Sequence, residues 1–122
     1  MPLLEAAGHR VEATDLLPGH GAGPTPLSEL SMEAYGGFVA ESAGGAGESV
    51  VLVGHSMAGA VISWAAECVP QMIRRLVYLT AYIPRSGESL ASLAHRDTEA
   101  ETRLERVEID GTESFRISKE AA

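Results

Sequence analysis

The chain has 122 residues, 45% of them hydrophobic and 21% charged, with a formal net charge of −8. That length holds one domain with one core, in the composition of an ordinary soluble globular protein. The negative balance excludes a nucleic-acid surface, which needs clustered Lys and Arg, and the single cysteine, Cys68, excludes an internal disulfide.

The tightest basic pair, Arg74-Arg75, stands just before an apolar run and reads as the start of a strand. Around Cys68 there is no His/Cys/Asp cluster with zinc spacing, so no metal is expected, and a lone thiol makes a reducing compartment the default. Met1-Pro2-Leu3-Leu4 runs at once into Glu5, without the basic region and apolar core of a signal peptide. The longest apolar stretches, residues 50–53 and 76–83, are too short to cross a bilayer. A cytoplasmic location and no membrane partner are therefore the default expectations.

In chain order, Pro2-Leu3-Leu4-Glu5-Ala6-Ala7-Gly8 has the composition of the last turns of a helix, with Gly8 suited to a left-handed C-terminal position. No helix start signal precedes it, so the chain reads as a fragment that begins inside an element. Residues 9–15 alternate weakly, with Val11 and Ala13 on one face, and predict a short strand. Three prolines and three glycines between residues 17 and 26 predict an irregular loop. Ser31 is placed to cap a helix over residues 32–42 with Tyr35, Phe38 and Val39 on its inner face, although Gly36-Gly37 weakens it.

Residues 50–53, Val-Val-Leu-Val, form an unbroken run of the kind buried on both faces of a parallel sheet. After a short turn, residues 60–69 are apolar nearly all round, the pattern of a buried helix, and Pro70 stops it. Residues 75–80 supply a second buried strand. Strand, helix, strand at this spacing is a βαβ unit in a parallel sheet with a right-handed crossover, hence an α/β fold. Beyond Pro84 the chain turns polar, partly helical over residues 86–105. Residues 104–117 then alternate about Asp110-Gly111, predicting an antiparallel hairpin distinct from the parallel core.

The chemistry lies in the turn between the first strand and the helix, Gly54-His55-Ser56-Met57-Ala58-Gly59. A strand that bends abruptly into a helix strains the residue at the bend and lifts its side chain above the sheet edge, the geometry of a nucleophile elbow. Strand and helix backbones approach closely there, so the residues two before and two after Ser56 must be small, as Gly54 and Ala58 are. The helix start leaves unpaired N–H groups at a positive dipole end, and the Met57 amide points where an oxyanion would form. The plainer reading is a serine in an incidental glycine-rich turn. A phosphate loop is disfavoured because the turn has no lysine and no G-x-x-x-x-G-K-[ST] pattern.

Residues 54–59 with their flanks, residues 74–84 and residues 3–16 resemble the branch of the α/β-hydrolase superfamily that contains plant-type methylesterases and hydroxynitrile lyases. The resemblance runs over about residues 1–90, and the hairpin region is similar to the start of that branch's cap. It implies a partial α/β-hydrolase core over residues 1–84, the start of a cap over residues 85–122, and an esterase-type Ser-His-Asp mechanism without a cofactor. Carried over, Ser56 is the nucleophile and the Met57 amide an oxyanion donor, with Gly54, Ala58 and Gly59 shaping the elbow. Ala58 departs from the usual G-x-S-x-G.

By the same resemblance, the strand and loop supplying a second oxyanion donor would precede Met1, and the acid and the base histidine would follow the cap. The fragment is thus expected to be impaired or inactive by itself. His95 and Asp97 stand two apart in the wrong order and read as a solvated face. His55 reads as a packing or hydrogen-bonding residue, His9 as the start of a strand, His20 and Asp15 as loop residues, Trp64 and Tyr78 as core. Three functions stay open: a hydrolase of small esters or related acyl compounds, a cyanohydrin-cleaving lyase, and a non-catalytic or ligand-binding relative. The expected partners are a small ester-type substrate and, through exposed sheet edges, further copies of the chain.

Overall fold

The computed structural model describes residues 2–15, 29–96, 104–109 and 112–117. Helix α1 (Pro2–Ala6) is a single turn. Gly8, at φ 89, reverses the chain after it, with the Gly8 and His9 amides donating to the carbonyls of Glu5 and Leu4 at 2.9 and 3.0 Å. The left-handed glycine closes the helix as its composition predicts.

Helix α2 (Met32–Gly45) starts on Ser31, whose side chain accepts from the Ala34 amide at 3.0 Å. Strand β1 (Val50–Ser56) leads into helix α3 (Ala58–Cys68). A 3-10 turn (Pro70–Met72) then delivers the chain to strand β2 (Ile73–Ala81). The two strands pair in parallel, from Val50 opposite Ile73 to Ser56 opposite Ala81, so the βαβ unit is present.

Residues 9–15 do not form the predicted strand. A weak alternation becomes a strand only against a partner edge, and among the described residues β1 and β2 pair only with each other. The segment is held instead by Arg10, whose guanidinium donates to the Ala46 carbonyl at 3.0 Å and lies 3.4 Å from the Glu48 carboxylate.

Helix α3 packs on both strands, and α2 packs on α3. Among the described residues, the buried apolar ones are Ala60, Val61, Ile62 and Ala65 of α3 with Ala40 and Ala43 of α2. The inner face of α2 is thus the stripe of small residues Gly36, Ala40 and Ala43, while the predicted Tyr35, Phe38 and Val39 stay half-buried at its margin. Trp64 gives the reason, because its side chain lies across Gly36. A Cβ built there would sit 2.6 Å from Trp64 Cγ and 2.7 Å from its Cβ. The glycine that lowers helix propensity is what lets the indole in, and Trp64, 39% exposed, is a cover over α2 more than a core residue.

The strand predicted to be buried on both faces is covered on one among the described residues. Val51 and Val53 of β1 and Val77 and Leu79 of β2 are exposed, Val53 at 58%, with Val53 opposite Val77 in the ladder. Both packed helices lie on the other side.

After β2, helix α4 (Leu90–Arg96) opens on a reciprocal cap. The Ser92 amide donates to Ser89 Oγ at 3.1 Å and the Ser89 amide to Ser92 Oγ at 3.0 Å, a capping box with serine in place of the usual acidic residue. Glu88 accepts from the Arg85 amide at 2.7 Å and pairs with Arg96 at 2.8 Å. The Arg85 N–H and then the arginine charges hold its carboxyl below the usual carboxylate range. Strands β3 (Leu104–Ile109) and β4 (Thr112–Ile117) form the predicted antiparallel hairpin, Ile109 opposite Thr112, with Asp110-Gly111 outside the described residues. Among the described residues no helix is long and apolar enough to cross a membrane.

The adjacent glycines of α2 make a matched test. Gly37 has open space around its Cβ position, so Gly37→Ala should stabilise by up to about 1 kcal/mol. Gly36→Ala meets the stem of Trp64 and should destabilise by about 1–3 kcal/mol, both read from urea melts. Equal shifts for the two would remove the indole contact as the reason for Gly36.

Candidate active site

Only Met57 separates the last residue of β1 from the first of α3. The chain must therefore pass from extended to helical backbone almost within one residue, and Ser56 absorbs the change with φ 55. The left-handed region costs an L-residue about 1–2 kcal/mol and persists only where the surroundings over-determine it.

Three contacts do so. The Ser56 carbonyl accepts from the Tyr82 amide at 3.1 Å. Gly54 lies against the first turn of α3, where a Cβ would come within 2.7 Å of the Ala58 carbonyl oxygen and 2.8 Å of its carbon. Gly59 lies under the end of β2, where a Cβ would fall on the Tyr82 carbonyl oxygen and 2.8 Å from Ala81 Cβ. Ala58 sits in the first turn of α3, where a methyl group needs no special backbone conformation.

Met57 has helical dihedrals, φ −55 and ψ −32, and its carbonyl accepts from the Ala60 amide at 3.0 Å, which starts the helix. One turn on, Ser63 Oγ donates to the Gly59 carbonyl at 2.8 Å and lies 2.8 Å from Tyr78 Oη. With the Ser63 proton committed to Gly59, the tyrosine is the donor. Tyr78, read as core from sequence, thus ties α3 to β2 just below the bend.

Ser56 and His55 are exposed, and Met57 is half-buried. Among the described residues neither Ser56 Oγ nor the His55 ring has a hydrogen-bond partner. His55 shares the uncovered sheet face with Val51 and Val53, so among the described residues it is neither the packing nor the hydrogen-bonding residue expected. His9, Asp15 and His95 are exposed; His20 and Asp97 lie outside the described residues. Among the described residues no three His, Cys, Asp or Glu side chains gather as a metal site.

The structure thus brings together Gly54, Ser56, Met57, Ala58 and Gly59, and adds Ala81 at the end of β2 and Tyr82 just after it. Sequence reasoning missed that second contribution. Its available signal was position, since the carboxyl ends of neighbouring parallel strands line the usual crevice of an open α/β sheet.

The alpha/beta hydrolase family model matches residues 1–118. The chain belongs to that family. Among curated relatives, a pyrethroid hydrolase from Sphingobium wenxiniae is 43% identical over 90 residues, covering 71% of this chain and 31% of that protein. An alpha-hydroxynitrile lyase from Arabidopsis thaliana is 38% identical over 86 residues, covering 68% and 33%. The crystal structure of polyneuridine aldehyde esterase superposes with a TM-score of 0.69 at 27% identity, over 93% of this chain and 48% of that one. The chain spans about a third of the length of these curated relatives and about half of the solved structure. Membership in the α/β-hydrolase superfamily predicted from the sequence is thus shown, as is the partial α/β-hydrolase fold.

The strain at Ser56 has a measurable consequence. Ser56→Gly should be more stable than Ser56→Ala by about 1 kcal/mol, because only glycine accepts a left-handed backbone without penalty. Urea melts of the two variants decide it; equal midpoints would mean that position 56 relaxes out of the left-handed region.

Proposed function

We propose that the chain carries the nucleophile of a serine hydrolase acting on small esters or related acyl compounds. Ser56 is the attacking residue, the Met57 amide is an oxyanion donor, and Gly54, Ala58 and Gly59 shape the elbow. The observation that carries this reading is the left-handed Ser56 at a strand–helix junction, in a chain whose relatives are named hydrolases and esterases. Residues 1–84 would then be hydrolase core and residues 85–122 the start of a cap.

In the proposed reaction Ser56 Oγ bonds to the acyl carbon while its proton passes to a general base. The former carbonyl oxygen gathers negative charge against the Met57 N–H, and the alcohol leaves with a proton. Water then attacks the acyl-serine, releasing the acid and restoring the hydroxyl. Ser56 Oγ has no hydrogen-bond partner among the described residues. An unassisted serine hydroxyl is a weak nucleophile, so the 122-residue chain by itself is expected to be impaired by several orders of magnitude. The lyase relative supports a second reading, in which the same serine moves a proton during cyanohydrin cleavage.

A fluorophosphonate probe should label the chain slowly at one site, and Ser56→Ala should abolish that labelling. Turnover of a chromogenic short-chain ester is expected to lie about a thousandfold or more below that of an ordinary esterase. Labelling that survives Ser56→Ala, or none after prolonged exposure, sinks the nucleophile. Release of aldehyde from a cyanohydrin, with no ester cleavage, would shift the reading to the lyase.

The partner reading is a small ester-type substrate, without nucleic acid or membrane, together with self-association. Each strand of the parallel pair has one unpaired edge among the described residues, beside the exposed Val53 and Leu79. Free edges next to apolar surface favour pairing with another copy. The purified chain should elute on sizing as a dimer or larger, and a sharp monomeric peak with a cooperative melt would overturn this.

A further inference from the structure

Ser56 is one of two non-glycine residues with positive φ among the described residues; the other is Thr80, at φ 45. A β-branched residue is an outlier there, and strained backbone persists where the surrounding structure imposes it. The two strained residues sit at the carboxyl ends of neighbouring parallel strands.

The ladder shows what Thr80 does. His55 stands opposite Leu79, but Ser56 stands opposite Ala81, so Thr80 is an extra residue, a bulge in β2. The shift advances the end of β2 by one position relative to Ser56. It sets the Tyr82 amide on the Ser56 carbonyl at 3.1 Å and puts the Tyr82 carbonyl and Ala81 methyl against Gly59.

The bond to the Ser56 carbonyl has a consequence for Met57. The Ser56 carbonyl and the Met57 N–H belong to one planar trans peptide unit, in which they point in opposite directions. Holding the carbonyl toward the end of β2 therefore aims the Met57 N–H away from it and stops the plane from rotating. Electrostatic stabilisation depends on donors fixed before the reaction.

We propose that Thr80 is a positioning residue: its left-handed backbone places the Tyr82 amide on the Ser56 carbonyl, and so fixes the peptide plane whose N–H is the Met57 oxyanion donor. The oxyanion role rests on the hydrolase reading above; the backbone lock does not. The hydroxyl of Thr80 has no part in it, so the variants that matter are those that change backbone preference. Glycine and asparagine accept positive φ, whereas proline holds φ near −65°.

Amide exchange and ¹⁵N–¹H spectra of the 122-residue chain, read beside fluorophosphonate labelling, test this. In the unaltered chain the Tyr82 amide should exchange about tenfold or more slowly than its intrinsic rate. Thr80→Gly and Thr80→Asn should keep that protection, the Met57 cross-peak and the labelling rate. Thr80→Pro should abolish the protection, move the Met57 cross-peak, and slow labelling by about tenfold or more, with the Val61 amide still protected.

An unprotected Tyr82 amide in the unaltered chain overturns the proposal whatever the variants do, as does Thr80→Pro that keeps Tyr82 protected. If Thr80→Pro also exposes Val61, the variant has unfolded. Loss of Tyr82 protection in Thr80→Gly or Thr80→Asn, with Val61 still protected, then overturns the proposal, and its retention supports it. No labelling of the unaltered chain, with Tyr82 and Met57 behaving as expected, removes the hydrolase reading and leaves the lock standing.

Discussion

One backbone reversal organises the described part of the molecule. Val50–Ser56 runs extended and Ala58–Cys68 runs helical, and the reversal between them is absorbed by a serine in a conformation that L-residues avoid. Such a residue stays put only if relaxing it would cost more elsewhere. Here relaxation would break the bond from Tyr82 to the Ser56 carbonyl and push apart the closely approaching backbones at Gly54 and Gly59. The two glycines, the end of β2 and the Ser63–Tyr78 pair are three ways of holding α3 tightly against the sheet at its first turn.

The packing behind the bend follows the same logic. Helix α3 is apolar nearly all round because it is flanked twice, by the strands and by α2. A second helix can come close only if its contact face is small, hence Gly36, Ala40 and Ala43 in place of larger side chains. The result is a tight but narrow core in which Val61 is the largest fully buried side chain among the described residues. Burying a Val or Leu side chain completely contributes about 1.5–3 kcal/mol. At Val51, Val53, Val77 and Leu79 roughly half of that is unrealised among the described residues. Rigidity at Ser56 therefore rests on close backbone contacts and hydrogen bonds within the βαβ unit more than on a broad two-sided core.

What was legible in the sequence is what local pattern determines. The apolar run into Gly54-His55-Ser56-Met57-Ala58-Gly59, the helix after it, the second strand, the terminal hairpin and the glycine closing α1 each follow from residues adjacent in the chain. Misread features depend on neighbours far away in sequence. The alternation at Val11 and Ala13 pairs with neither strand of the parallel sheet, because Arg10 ties the segment to Ala46 and Glu48 instead. Gly36 looks like a defect in α2 until Trp64, contributed by another helix, is laid across it. Thr80 has no signature at all, because a bulge is a mismatch between two strands and neither strand contains it alone.

The identity of the strained residue bears on function independently of the family match. Glycine at position 56 would satisfy the same backbone without the left-handed penalty, so the fold alone gives no reason for a side chain there. A hydroxyl group kept at that cost, exposed at the mouth of the bend, is what the proposed nucleophile requires. The ladder register separates Thr80 from Ser56. The bulge gives the threonine a structural task that any residue tolerant of positive φ could perform, whereas the proposed nucleophile would give the strain at position 56 a purpose that glycine could not serve. On the proposed reading the two outliers divide the work at this sheet edge, Ser56 presenting the nucleophile and Thr80 holding the peptide plane that follows it.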